Sequence, residues 1–195
     1  MKILGAIIAG GKSARMGGAE KALIDLAGRP VVSHIAACLQ RQTYHVIINA
    51  NGDPLRFRDL GFEVVADMPG AVDTPLAGLE AVLAYAAAQG FDAVVSTPSD
   101  TPFLPPDLTL RLSGSGAAIA SSGGQDHYLT GFWPISLAAI LKEALANQGL
   151  RRMQDWVALC EARKVEWSVS PFDPFFNINT PADLEQARTW LAGPR

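Results

Sequence analysis

The chain is poor in the residues that tie a fold together covalently or through metal. Its 195 residues include two cysteines, Cys38 and Cys160, and three histidines. Two cysteines are too few for a disulfide framework or an all-cysteine zinc site, and they suit a reducing compartment. His34, His45 and His127 stand at no metal-ligand spacing. Charge is also scarce: 18% of residues are Asp, Glu, Lys or Arg, with a net charge of −3. That balance excludes the basic footprint of a nucleic-acid binder and the polybasic patch of a membrane-surface protein. No run of about 18 apolar residues occurs, so no helix is expected to cross a bilayer. The opening MKILGAIIAGGKS has a short apolar run behind one lysine, then glycines and charges, and does not read as a secretory signal. No unit repeats at a period of roughly 20–50 residues. The expectation is a cytoplasmic, monomeric protein with no nucleic-acid or membrane partner.

What the chain does have is apolar mass in an alternating pattern. Hydrophobic residues make up 49% of it, and its length suits one domain at roughly 150 residues per domain. Apolar β-type runs fall at 3–9, 45–49, 62–66, 93–97 and 116–121. Helical spacing marks 31–41, a helix opening at Thr74-Pro75, 105–112, 136–147, and a last helix opening at Thr180-Pro181-Ala182-Asp183. In that last helix Leu184, Ala187, Trp190 and Leu191 are expected on the inner side. Strand–helix alternation predicts βαβ units and a parallel sheet covered on both faces. The segment 128–133 follows 116–121 too closely for a crossover, so an antiparallel strand is expected there. Further short β pieces are expected at 165–169 and 177–178. The predicted fold class is α/β: a single-domain, three-layer Rossmann-like sandwich, mostly parallel with one antiparallel strand.

Directly after the first strand comes Gly10-Gly11-Lys12-Ser13-Ala14-Arg15-Met16-Gly17-Gly18-Ala19-Glu20-Lys21. Glycines there let backbone N–H groups approach an anion. The P-loop spacing fails, because position 6 is alanine where that motif needs glycine, and no G-x-G-x-x-G falls in phase. The loop therefore binds phosphate by another scheme, with Arg15 and Lys21 as added cations, or it is a plain glycine-rich turn. Asn49, Asp67 and Asp100 each follow a predicted strand, where open α/β sheets bind ligands, and where Asn and Asp also serve as turn or cap residues. Prolines 98 and 102 flank Asp100 and stiffen its loop. Arg151-Arg152, at a predicted helix start, suit a phosphate through bidentate guanidinium contacts, or form a solvated surface pair. Asn177 and Asn179 alternate across one residue and would share a face of a strand, or cap the final helix.

The pattern Gly10-Gly11-x-Ser13-x-Arg15-Met16-Gly17-x-x-x-Lys21 resembles the signature of the nucleotidyltransferases that activate sugars, isoprenoid precursors and pterin cofactors. Within that group the chain is similar to the molybdenum cofactor guanylyltransferases. Ile48-Asn49-Ala50-Asn51, Pro75-Leu76-Ala77-Gly78, Asp100-Thr101-Pro102 and Asn177-Ile178-Asn179-Thr180-Pro181 carry the likeness along nearly the whole chain. It departs at Glu20, Thr74 and Ser99, none of which is a proposed ligand. The resemblance implies transfer of GMP from GTP to molybdopterin, with release of pyrophosphate. It implies that Ile8, Ala9, Gly10, Gly11, Lys21, Asn49, Asp67 and Asp100 meet the nucleotide. Arg15, Lys21 and Asp100 would carry catalysis, with Asp100 exposed in the crevice and holding Mg²⁺. Arg151, Arg152, Asn177 and Asn179 would meet the pterin acceptor. Residues 1–104 would form the nucleotide half and 105–195 the acceptor half of one domain, 1–195. Transient contact with molybdoenzymes or cofactor-delivery proteins would follow. Two alternatives stay open: a CTP-dependent relative acting on molybdopterin or another phosphate acceptor, and a non-catalytic carrier of nucleotide or cofactor.

Overall fold

Strands buried on both faces need no polar alternation, and β1 (Ile3–Ile8) is buried along its whole length. The computed structural model describes residues 1–9, 21–71 and 74–193. After β1 comes a short hairpin, β2 (Asp25–Leu26) with β3 (Arg29–Pro30), then α1 (Val31–Gln40) and β4 (His45–Asn49). A 3-10 helix at Pro54–Leu60 leads to β5 (Glu63–Val65). Then follow α2 (Pro75–Ala88), β6 (Ala93–Pro98), α3 (Leu108–Leu112), β7 (Ala118–Ser122) and β8 (Gln125–Pro134). The chain closes with α4 (Leu137–Asn147), α5 (Met153–Leu159), β9 (Arg163–Trp167) and α6 (Pro181–Ala192).

Seven of these strands form one sheet in the order β5-β4-β1-β6-β8-β7-β9. Only β8 runs antiparallel to its neighbours, β6 and β7, so the expected sandwich with one reversed strand is the one observed. The reversal is local chemistry. Gly123 and Gly124, both at positive φ, close a two-residue loop between the paired Ser122 and Gln125. Positive φ at both central positions matches the twist of a tight hairpin.

Period-two alternation along β1 sends its side chains into two cores. Ile3 and Ile7 join α1, α3 and α6 on one face, while Leu4, Ala6 and Ile8 join α2, α4 and α5 on the other. Cys38 is buried in the first core, and Trp133 and Trp156 in the second. The order reverses about β1: β4 and β5 lie to one side of it and β6 to the other. Ile8 pairs with Pro98, so the carboxyl ends of β1 and β6 stand side by side at the switch point where such folds bind ligands.

Several boundaries differ from expectation. No strand forms at 177–178; Ile178 N–H donates instead to a single acceptor, the Asp100 carbonyl, at 2.9 Å. The helix expected from Pro105 begins at Leu108, because the two prolines there first form a turn closed by Leu108 N–H on the Pro105 carbonyl. Thr74 is the N-cap of α2 but makes no side-chain capping bond. Leu191 is exposed rather than inward. Phe172 stacks on Trp190 at 4.9 Å, and Phe103 and Phe176 meet the same indole edge-on.

The start of α6 is the best-capped helix end. The Thr180 hydroxyl accepts from Asp183 N–H, and the Asp183 carboxylate accepts from the backbone N–H groups of Asn179 and Thr180 at 2.9 and 2.7 Å. Thr180→Ala should cost about 1 kcal/mol. In a chain of this size that lowers the melting temperature by about 2–4 °C, readable by calorimetry.

Candidate active site

Asp100 sits two residues past β6, in a turn held from several sides. Thr97 Oγ1 lies 3.1 Å from Thr101 Oγ1, and the Thr101 hydroxyl donates to the Pro98 carbonyl at 3.2 Å. Thr130 of the reversed strand approaches Thr97 Oγ1 at 3.5 Å. Together with the flanking prolines, these bonds aim the Asp100 side chain at Lys21. Lys21 opens a 3-10 turn whose next residue, Ala22, is buried, so its stem is anchored beneath its charge.

The Lys21 ammonium lies 3.5 Å from Asp100 Oδ2 and donates to Asn179 Oδ1 at 2.5 Å. Lys21 and Asp100 side chains retain only 21% and 17% of their surface. Asp100 is therefore more enclosed than the crevice-exposed carboxylate expected from sequence. The bond from Ile178 to its backbone brings the 177–179 segment over the loop and covers it. Burial pushes the Asp100 carboxyl above its ordinary range, and the Lys21 charge and hydrogen bond pull it part of the way back. Its second oxygen, Oδ1, is buried and finds no hydrogen-bond partner among the described residues.

A second polar group follows β4 and β5. Asn49 is 2% exposed. Its amide nitrogen donates to the Val65 carbonyl at 3.0 Å and to Asp67 Oδ1 at 2.8 Å. Asn51 Nδ2 donates to Asp67 Oδ2 at 2.7 Å, and Asp67 N–H returns a bond to Asn51 Oδ1 at 3.0 Å. Ala9 N–H donates to the Asn49 carbonyl at 2.8 Å, which joins this group to the end of β1. Ile8 is buried and Ala9 half-buried there.

Of the remaining predicted residues, Gly10, Gly11 and Arg15 lie outside the described residues. Asn179 joins Lys21 and Asp100, whereas Asn177 is exposed, beside the buried Ile178 in sequence. Arg151 and Arg152 part company. Arg152 is the N-cap of α5, and its guanidinium is forked onto Asp155 by two bonds of 2.9 Å. Arg151 lines a cavity of about 300 Å³ with Met68, Gly70, Thr74, Ala77 and Lys142. No hydrogen bond or ion pair among the described residues links either arginine to Lys21, Asp100 or Asn179. Among the described residues, no group of three or more His, Cys, Asp or Glu gathers to hold a metal. A site for one would rest on Asp100.

Sequence reasoning did not find the Lys21–Asn179 bond, which joins positions 158 residues apart. It placed Gly78 in a segment that carries the family likeness but gave it no role. The signal was available there, since a glycine inside a helix costs about 1 kcal/mol against alanine and so has a packing reason.

The family model for the MobA-like NTP transferase domain matches residues 5–163. The chain belongs to that family. It is 40% identical over 189 residues to the molybdenum cofactor guanylyltransferase of Rhodopseudomonas palustris strain BisB5, covering 93% of this chain and 90% of that one. It is 44% identical to the protein of the same name from Rhodobacter capsulatus, over 98% of this chain and 97% of that one. Among solved structures it superposes on molybdopterin-guanine dinucleotide biosynthesis protein A from Archaeoglobus fulgidus with a TM-score of 0.71 and 24% identity, covering 98% of this chain and all of the other. The family's matched segment contains Lys21, the Asn49–Asp67 group and Asp100, while Asn179 lies beyond it.

Asp100→Asn removes a charge that the fold holds at a cost. A carboxyl whose folded value lies above its unfolded one favours the folded state most at low pH, and that contribution is lost as pH rises through the folded value. At pH 7 the variant should therefore melt at or above the wild-type temperature. The difference should close as pH falls below the ordinary value of 3.8. A variant that melts well below wild type at pH 7 would show that the Lys21 pair more than offsets the burial.

Proposed function

We propose that the chain transfers GMP from GTP to the phosphate of molybdopterin and releases pyrophosphate, forming the guanine dinucleotide form of the molybdenum cofactor. The observation that carries this reading is the meeting of Lys21, Asp100 and Asn179 at the switch point, in a chain about 40% identical over nearly its whole length to enzymes of that name.

In the reaction an oxygen of the acceptor phosphate bonds to the α-phosphorus of GTP. The bond from that phosphorus to the bridging oxygen breaks, and the electron pair leaves with pyrophosphate. Protein groups need form no covalent bond. Their work is to align acceptor and donor and to stabilise charge on the phosphoryl oxygens. Lys21 supplies an ammonium already fixed at the crevice, and Arg15 is assigned the same task on the glycine loop. The unpartnered Oδ1 of Asp100 is a hard oxygen donor, which suits Mg²⁺, a cation commonly held by one or two carboxylates plus substrate phosphates. Magnesium bound there would supply positive charge against the phosphate oxygens. Asp100→Asn should therefore lower turnover by on the order of 100-fold, as loss of one preorganised electrostatic group commonly does.

Asp67, held by Asn49 and Asn51, is assigned to the base. Gly10 and the backbone of Ile8 and Ala9 are assigned to the base and ribose, and Gly11 to the phosphates. For the acceptor we retain Asn177, Asn179 and Arg151, with Arg152 acting through its grip on Asp155 at the head of α5. This divides the domain into a nucleotide half, 1–104, and an acceptor half, 105–195, that meet at the Lys21–Asn179 bond.

Melting in the presence of Mg²⁺ with GTP, ATP or CTP tests the base assignment. A ligand that binds only the folded state adds about 2.7 kcal/mol at 100 times its dissociation constant. GTP should raise the melting temperature by several degrees more than the other two. An equal or larger shift with CTP would replace the guanylyl reading with a cytidylyl one. Pyrophosphate release on mixing GTP with molybdopterin separates an enzyme from a carrier.

A further inference from the structure

Gly78 lies inside α2 and is buried. A Cβ built there would stand 2.3 Å from Asn49 Oδ1 and 3.0 Å from Ile8 Cγ2. The first distance is far inside van der Waals contact, so the missing methyl group is the space that the Asn49 amide oxygen occupies. That space fixes the amide. With its oxygen against Gly78, its nitrogen faces the Val65 carbonyl and Asp67 Oδ1, to which it donates at 3.0 and 2.8 Å. Asn49 is itself too buried to offer a ligand much surface. What it can do is hold Asp67, whose other oxygen is held by Asn51 at 2.7 Å.

A carboxylate has about four acceptor positions on its two oxygens. Asn49 and Asn51 each take one, which among the described residues leaves one on each oxygen. Two fixed acceptors side by side match an edge with two adjacent donors, such as the N1–H and 2-amino group of guanine. Adenine and cytosine place an acceptor nitrogen beside their amino group and cannot make that pair.

We propose that Gly78 is a positioning residue for base selection: by lacking a Cβ it seats Asn49, which holds the Asp67 carboxylate as a fixed pair of acceptors. This rests on the guanylyltransferase reading and extends it to a residue that touches no substrate.

The test measures dissociation constants for GTP, for inosine triphosphate (which lacks the 2-amino group) and for tripolyphosphate. The proteins are wild type, Gly78→Ala, Asn49→Ala and the double variant. A site built to bond an N–H discriminates strongly against the analogue without it, so wild type should prefer GTP to inosine triphosphate by about tenfold or more. In Gly78→Ala that ratio should fall towards one, while tripolyphosphate affinity stays within about twofold. A purely structural lesion would weaken all three ligands together. In the double variant the clashing oxygen is gone, so it should fold and match Asn49→Ala alone.

If wild type does not distinguish GTP from inosine triphosphate, the assignment of Asp67 to guanine falls, and the proposal with it. If wild type discriminates and Gly78→Ala keeps the ratio, the role of Gly78 alone is overturned. Should Gly78→Ala fail to fold, the double variant decides. Recovery to the level of Asn49→Ala supports the relay, and failure there would assign Gly78 to packing against Ile8 and overturn it.

Discussion

One ammonium group holds the crevice together. Lys21 follows the glycine-rich segment in sequence, and it reaches both a carboxylate after β6 and an amide from the segment before α6. A hydrogen bond to a charged group contributes about 1.5–3 kcal/mol, and the wider effect is positional. Ile178 bonds the Asp100 carbonyl and Asn179 meets Lys21, so residues 177–179 are fixed across the end of the sheet. The capping box then starts α6 from that anchored point. Arg188 of the same helix donates to the Asp25 carbonyl in the hairpin after Lys21, closing the circuit. A local charge balance thus sets the path of the last twenty or so residues, which composition alone gave no reason to place at the crevice.

The parts of the fold visible in the sequence are those with local causes. Apolar runs of β1, β4 and β6 read as buried strands because they are short, rich in β-branched residues and bounded by turn residues. The Gly-Gly hairpin announces the one reversed strand, and Thr180-Pro181-Ala182-Asp183 announces α6. What escaped has non-local causes. The residue types at 177–178 suit a strand, but a strand needs a partner along its length, and among the described residues this segment finds one carbonyl. Asp100 reads as exposed because it follows a strand, and its burial comes from a segment near the other end of the chain. The adjacent arginines look equivalent, yet Asp155 three residues on takes one of them and leaves the other beside a cavity. Gly78 is visible as a glycine in a helix, but its neighbour across the layers is not.

The site contains two carboxylates, although the proposed substrate is a polyanion. That would be self-defeating if both carboxylates met phosphate. They are separated by environment. Asp67 is gripped by two neutral amides and half-exposed beyond β5, where a base edge offers N–H donors and no net charge. Asp100 is more enclosed, leaves one oxygen without a partner among the described residues, and has a cation beside it. A carboxylate satisfied by amides is suited to reading neutral donors. One that is enclosed and only half satisfied is suited to recruiting positive charge, because a bound cation removes the cost of its burial. Along the sheet edge, from β5 through β4 and β1 to β6, the two carboxylates stand at separate strand ends. On the proposed assignment, the base would lie at the amide-held end and the phosphates at the end where Lys21 and Asp100 stand. That order follows from which strand each carboxylate ends, and strand order follows from the reversal about β1. Under that assignment, the polarity of substrate binding would be set by the topology of the sheet before any single contact to substrate is made.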